Sequence, residues 1–337
     1  MSPGTPELEA VSRADSAARP ATAENSVEFS SARFVRWLLF GTLSLNLIVA
    51  ALAALALYHS YGQYQERALV TTQNLAKALE QDLSASFETI DLAVLSVKDE
   101  VERQLALGRI DARAINAHIG LQVSRQHDLD SVRVTNAQGD IVYGTGIESN
   151  TGVSAAQRDF FVRLRDDPTA GLVIANPIVG QISNKWSIAL ARRINEPNGA
   201  FAGVAYAVIL LEHFQKKFAA LDLGPHGVVS LRDMQLGTVV RQPEPTAVGT
   251  AVGNRTFSKE WPEKLKINPV AGTYFAAGLD DRTRALAYRK VSAYPFYIIV
   301  GLFPGDYLAQ WQQEAVRTLA LVGVFLIVTL LLASLIR

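Results

Sequence analysis

Residues 37–58 read WLLFGTLSLNLIVAALAALALY, and the chain continues as HSYGQYQERALVTTQNLAKALEQDLSASFETIDLAVLSVKDEVERQL over 59–105. The first part carries no charge over about 22 residues, which at ~1.5 Å per helical residue extend about 33 Å, enough for a bilayer core. In the second part Ala68, Thr72, Leu75, Leu79, Leu83, Phe87, Ile90, Val94, Val97, Val101 and Leu105 recur at spacings of three and four, with Gln, Glu, Lys and Asp between them. That period marks a helix with one apolar face. No breaker separates the two parts, and the first strong stop is Gly108. The stretch therefore predicts a membrane helix running into a long amphipathic helix that needs a partner surface along its stripe.

A second uncharged run, TLALVGVFLIVTLLLASLI, occupies 318–336. Both runs exceed the length of a typical core helix, and the first begins too far into the chain and is too long to read as the apolar region of a cleaved signal peptide. They are expected as membrane spans over 37–58 and 316–337, with the lipid bilayer as a partner. Arg33 and Arg36 precede the first span, with Arg19 nearby, so the positive-inside rule places both termini in the cytoplasm; Arg317, on the outer flank, votes weakly against this. Residues 1–36 are rich in Ala, Ser, Pro and Glu over most of their length and are expected as a disordered cytoplasmic tail. Residues 59–315 then lie outside a bacterial inner membrane, in the periplasm, a location that the absence of cysteine suits. The 337 residues carry 32 basic and 32 acidic side chains, a balance that excludes a nucleic-acid partner.

The outer region is α+β. Asp111 opens a short helix to about Ser124, and from Val132 the period changes to two: Val132 and Val134, then Ile141 and Tyr143, form a hairpin around Asn136–Gly139. Strands follow at 171–177, 185–194 and 201–211, the last two joined by the turn Glu196-Pro-Asn-Gly199, and helix signals return at 212–221. The order repeats in outline, with strands at 227–231, 238–241, 272–277, 284–291 and 296–302 and a Pro/Gly-rich connection up to Asn268. This divides 59–315 into a first, membrane-distal module (59–221), a second, membrane-proximal module (222–303) and an exit helix (304–315) for which Asp306 is a plausible N-cap.

On the strand 185–194, Trp186, Ile188, Leu190 and Arg192 share one face and Lys185, Ser187 and Arg193 the other; on 201–211, Tyr206 lies on the face of Val208. Aromatic walls with one or two cations suit a small organic anion, although Trp186 and Tyr206 also fit as plain core aromatics and Arg192 as an edge charge. Arg158-Asp159-Phe160-Phe161 stand in a polar segment that interrupts the strands. Enzymatic readings fail: H-E-x-x-H, G-x-S-x-G and P-loop patterns are missing, Gly144-Thr-Gly146 never reaches a third glycine, and His59, His118, His127, His213 and His226 lack metal-ligand spacing. No catalytic residue, metal or cofactor is expected.

With a long membrane-linked helix carrying two such modules, and with SNKWSIALARRINEPNGAFAGVAYAVI (183–209), GPHGVVSLRD (224–233) and YRKVSAYPFYIIVGL (288–302), the chain resembles the double Cache (PAS-like) sensor domains of bacterial transmembrane receptors, most of all those of membrane-bound diguanylate cyclases and sensory-box proteins. The resemblance implies ligand sensing and an output domain, a diguanylate cyclase or histidine kinase, absent from a chain that stops at Arg337. The amino-acid pocket motif of that family is a Tyr, an Arg five residues on, Trp-Tyr after one spacer, and a later Tyr and Asp. Arg158 matches; Val153 replaces the first Tyr, Phe160-Phe161 the Trp-Tyr pair, and Ile178 and Val208 the later Tyr and Asp. The family's Asp binds an ammonium group, so its replacement implies a ligand with a carboxylate and no essential amine. The expected ligand-binding set is Arg158, Phe160, Phe161, Trp186, Arg192 and Tyr206. A different class is a membrane-anchored interaction module without a small ligand. The long stripe, with the small pair Ala50 and Ala54 in the first span, also points to a parallel homodimer.

Overall fold

One helix, α1 (Ser31–Ala106), realises the whole opening stretch, 76 residues without a break. A computed structural model describes residues 31–335 apart from 146, 148–151, 245–251 and 279, so the tail expected at 1–36 lies outside the described residues up to residue 30. The chain divides into two compact units, one of 1–55 with 317–337 and one of 56–316.

In the first unit the two apolar runs are helical, and α1 and the last helix are each long and apolar enough to cross a membrane. Trp37, Leu55, Leu321 and Leu332 are exposed there, an apolar surface that water would not tolerate and a lipid phase would. Within this unit the Thr329 hydroxyl donates to Asn46 Oδ1 at 3.0 Å.

The second unit begins with the amphipathic part of α1. After it come α2 (Ala112–Ser124), the hairpin β1 (Ser131–Thr135) and β2 (Ile141–Gly144), then α3 (Asp159–Asp166), the short strands β3 (Val173–Ile174) and β4 (Ile178–Val179), the long hairpin β5 (Trp186–Asn195) and β6 (Phe201–Leu210), and α4 (Leu211–Ala219). Asp111 caps α2 by accepting from the backbone N–H groups of Arg113 and Ala114. The second module follows as β7 (Val228–Asp233), β8 (Thr238–Gln242), α5 (Glu260–Ile267), β9 (Ala271–Ala277), β10 (Thr283–Lys290) and β11 (Phe296–Leu302), closed by α6 (Pro304–Tyr307) and α7 (Ala309–Leu335). Two helices were not foreseen: α3 lies in the polar segment read as interrupting the strands, and α5 in the Pro/Gly-rich connection.

All pairings are antiparallel, and the sheets repeat one topology: β2-β1-β6-β5-β3, with β4 also on β5, and β8-β7-β11-β10-β9. The α1 stripe is covered by both. Leu83, Phe87, Ile90, Val94 and Val97 are fully buried against Val132, Ile188, Leu190 and Ala207 of the first sheet and Leu231, Ala287, Ile298 and Val300 of the second, in a single core. Its own sheets thus consume the stripe, which leaves the small pair Ala50 and Ala54 as the remaining sequence argument for a homodimer. The other face of each sheet carries a smaller core, the first under α3 and the second under α5.

Polar contacts fix both modules to α1. Arg192 of β5 grips Asp91 with two parallel hydrogen bonds of 2.6 and 2.7 Å, and the backbone N–H of Asn195 donates to Glu102 at 2.8 Å. In the second module the Ser292 hydroxyl and backbone N–H donate to Glu80 at 2.7 and 3.1 Å. The start of α7 returns to α1: Trp311 lies edge-on to Tyr61 with ring centroids 5.1 Å apart, and Tyr64 donates to Glu314 at 2.9 Å.

Candidate functional site

Strand alternation sorts the first sheet into a helix side and an outer side. On β1, Val132 and Val134 face α1, so Ser131 and Arg133 face outward; register then puts Arg133 opposite Tyr206 and Ser131 opposite Val208. On β5 the residues opposite Val208 and Leu210 are Ala189 and Ser187, which complete the outer floor. Over that floor sit Val153–Ala155, Arg158 and Phe160 at the start of α3, and the turn Gly180–Ser183. Together they line a narrow cleft whose ≈470 Å³ of empty space includes its open mouth.

The roof is held by Arg193, buried on the outer side of β5. Its Nη1 donates to the carbonyls of Leu164 and Arg165 at 2.7 and 2.8 Å, satisfying the open C-terminal end of α3, and its guanidinium stacks 4.8 Å from the Phe201 ring. Phe160 drops from α3 onto Tyr206 with centroids 5.1 Å apart. The close approach of β6 to the end of β1 needs a glycine: Gly203, at φ 149°, stands where an added Cβ would meet the Thr135 carbonyl oxygen at 2.0 Å.

The charge balance of the cavity is one-sided. Arg133 is only 8% exposed and Arg158 is half-buried. Among the described residues neither forms an ion pair and none of the cavity's lining is Asp or Glu. The carboxylates nearby in sequence are used elsewhere: Asp166 pairs with Arg165, and Asp159 accepts from the Phe160 backbone N–H. Burial pushes the Tyr206 hydroxyl up, against the charge and hydrogen bond of Arg133 and the charge of Arg158, which pull it down. The arrangement can receive an anion with two guanidinium groups and a phenol, and its apolar part with Phe160, Ile178 and Val208.

Of the residues expected from sequence, Arg158, Phe160 and Tyr206 come together here, as do Val153, Ile178 and Val208, which stand in place of family motif positions. Phe161 lies behind the wall, edge-on to Phe201 at 5.5 Å. Trp186 and Arg192 require correction. They lie on the helix side of β5, Trp186 against the α1 core and Arg192 on Asp91, because the period-two pattern puts them with Ile188 and Leu190 and not with Tyr206. The sequence reading missed Arg133, Ser187 and Gln181. The signal for Arg133 was an arginine alternating with two core valines in a strand covered on both faces, so that its "polar" side is also an interior.

No protein-family model matches the sequence, and no curated protein sequence matches it. Solved structures do. The extracellular domain of the histidine kinase rpHK1S-Z16 superposes with a TM-score of 0.61 at 23% identity, covering 69% of this chain and 93% of that domain. The ligand-binding domain of the Campylobacter jejuni chemoreceptor Tlp3, in complex with L-norvaline, gives 0.54 at 12% identity over 72% and 93%. That of Mlp24 with asparagine gives 0.53 at 14% over 76% and 99%. At these identities the likeness speaks for the fold, and the chain has the double Cache-like fold of the extracellular ligand-binding domains of histidine kinases and chemoreceptors.

Proposed function

We propose that this chain is the extracytoplasmic sensing region of a transmembrane signalling receptor, anchored in a bacterial inner membrane with residues 59–315 in the periplasm, and that its first module binds a small organic carboxylate. The observation that carries the ligand class is the pair Arg133 and Arg158 in a cavity whose described lining holds no carboxylate. An α-amino acid brings an ammonium group that would face two guanidinium groups there, a like-charge contact in a poorly hydrated site. A carboxylate without an amine meets only donors. The neighbours bound to L-norvaline and asparagine support a small ligand in this fold, while the replacement of the motif's Asp by Val208 supports a different head group.

Signalling follows from the two attachments on α1. A ligand drawing α3 and the 180–183 turn toward the floor pulls on β5, whose Arg192 is clasped to Asp91, and α1 carries that displacement past the second module toward the membrane. Histidine kinases and chemoreceptors among the neighbours support a kinase-coupled output and lend none to a diguanylate cyclase.

The test is a thermal-shift screen of the full chain in detergent micelles against small carboxylates, amino acids and amines, since binding to the native state raises Tm by mass action. Carboxylates lacking an amine should be the stabilising class. Stabilisation by amines alone would overturn the ligand class, and no shift with any compound would favour the interaction-module reading.

A further inference from the structure

The second module repeats the cavity floor of the first. Ser131-Val-Arg133 on β1 has its counterpart in Ser230-Leu-Arg232 on β7, the equivalent strand in an identical sheet order. Arg133 stands opposite Tyr206 on β6, and Arg232 stands opposite Tyr297 on β11; Ser131 faces Val208 as Ser230 faces Ile299. Over each floor lies a short helix bearing a large aromatic, Phe160 on α3 and Trp261 on α5. The second cavity measures ≈480 Å³ including its mouth, with Val228, Leu286 and Ile299 as apolar walls.

Its cations exceed its anions. Arg284 is satisfied by Asp280 through bonds of 2.6 and 2.7 Å. Arg232, 4% exposed, donates to the carbonyls of Leu236 and Thr256 at 2.7 and 2.8 Å and lies 5.6 Å from the Trp261 ring, so its position is fixed without an ion pair among the described residues. Arg241, 7% exposed and opposite Ser230, has no hydrogen bond or ion pair among the described residues, and its Nε is a buried donor without an acceptor. The indole Nε1 of Trp261, a residue 1% exposed, is another. None of the described lining is Asp or Glu. Burial, with Arg241 adding to it, pushes the Arg232 guanidinium down to about 10. Asp280 and Asp233 act on the pair only at a distance, and two neighbouring buried cations without a direct ion pair among the described residues are costly, so packing alone does not call for them.

We propose that the second module holds a second ligand site, in which the head group of a short-chain carboxylate lies between Arg241 and Arg232 with Trp261 Nε1 as a further donor, and its chain lies against Val228 and Ile299. The site stands on its own residues and does not depend on what the first cavity binds.

Trp261 supplies the test. In the full chain in detergent micelles, with Trp37, Trp186 and Trp311 each changed to Phe, Trp261 is the sole indole. Its emission is followed on titration with acetate, propionate and butyrate, with sodium chloride and propylamine as controls. A saturable change with the carboxylates and none with the controls is expected. Arg241→Met should weaken it at least tenfold, while Arg158→Lys in the first cavity should leave it within twofold. Without ligand, Arg241→Met should melt no lower than the parent, because it removes a buried charge that no direct ion pair holds among the described residues. An emission that does not respond to the carboxylates, or that responds to chloride alike, overturns the proposal. So does an Arg241→Met protein that keeps the affinity, or one that unfolds or melts lower without ligand, which would make Arg241 structural. Arg241→Lys, which keeps the charge and loses the planar fork, should lie between the parent and Met in affinity; parental affinity would remove Arg241 from the site.

Discussion

Arg158 precedes α3 with no carboxylate partner among the described residues, beside a tyrosine whose hydroxyl feels its charge. Replacing it by Lys keeps the charge but removes the second parallel hydrogen bond, so Arg158→Lys should weaken carboxylate binding by about tenfold or more, a loss of roughly 1.5–3 kcal/mol, with Tm of the free protein unchanged. Calorimetric titration with the best carboxylate from the thermal-shift screen checks it; unchanged affinity in a folded variant would return Arg158 to structure. Arg158 was legible because its spacing to Phe160 and Val153 follows a known motif, and those residues do meet in space. Arg133 was not, because Val132 and Val134 drew the strand as one-sided, and only the presence of α3 makes the opposite face an interior. Trp186 and Arg192 were rightly grouped with Ile188 and Leu190, but that face was taken for the ligand's. A period of two says which residues travel together and never which face the ligand takes.

At the scale of elements, α1 was the most legible, and it packs against both modules. Each stripe residue was readable from spacing, while its partners were not, because a stripe does not say whether another chain or its own sheets cover it. Phe87 shows the result: fully buried, it touches Phe214 of α4 and Phe296 of β11, with centroids 5.9 and 5.5 Å away, one from each module. Phe87→Ala should cost about 3–5 kcal/mol, read as a lowered denaturation midpoint for both modules together. Loss confined to one module would mean that they do not share this core. Glu80 makes the same helix pH-sensitive. Burial opposes its ionisation, but hydrogen bonds from Ser292, Ser84 and Arg289 outweigh that and hold its carboxyl below the usual range. The folded chain therefore binds fewer protons at this site than the unfolded chain, so the stabilisation is complete above the ordinary glutamate pKa and is lost as pH falls through the lowered one. Glu80→Gln should reduce Tm at neutral pH and flatten its acid decline; an unaltered acid limb would assign that limb to other carboxylates. The short helices α3 and α5 escaped the reading because eight residues give barely two turns of pattern, and tertiary contacts such as Arg193 on the end of α3 hold them in place.

For the whole molecule, the repeat of the modules was visible only as an outline of strands, since the residues that make the cavities alike, Ser131 with Arg133 and Ser230 with Arg232, lie in strands of otherwise different sequence. The order of helices and sheets was clearer, because it rests on long patterns: two uncharged runs and one stripe. That order fixes what the membrane must do if both runs span it. Arg33 and Arg36 before the first run keep its start on the cytoplasmic side, and a second span brings the chain back. Everything from 59 to 315 is then outside, where a carboxylate in the surroundings can reach the first cavity without crossing the bilayer. Gly199 offers a place to test this, in the exposed β5–β6 turn, where its N–H closes on the Glu196 carbonyl at 2.8 Å and nothing packs over it. Alkaline phosphatase, active only outside the cytoplasm, should be active when fused after Gly199 and inactive when fused after Arg337. The opposite pattern would put the sensing modules in the cytoplasm and remove the basis for reading the chain as a receptor of external ligands.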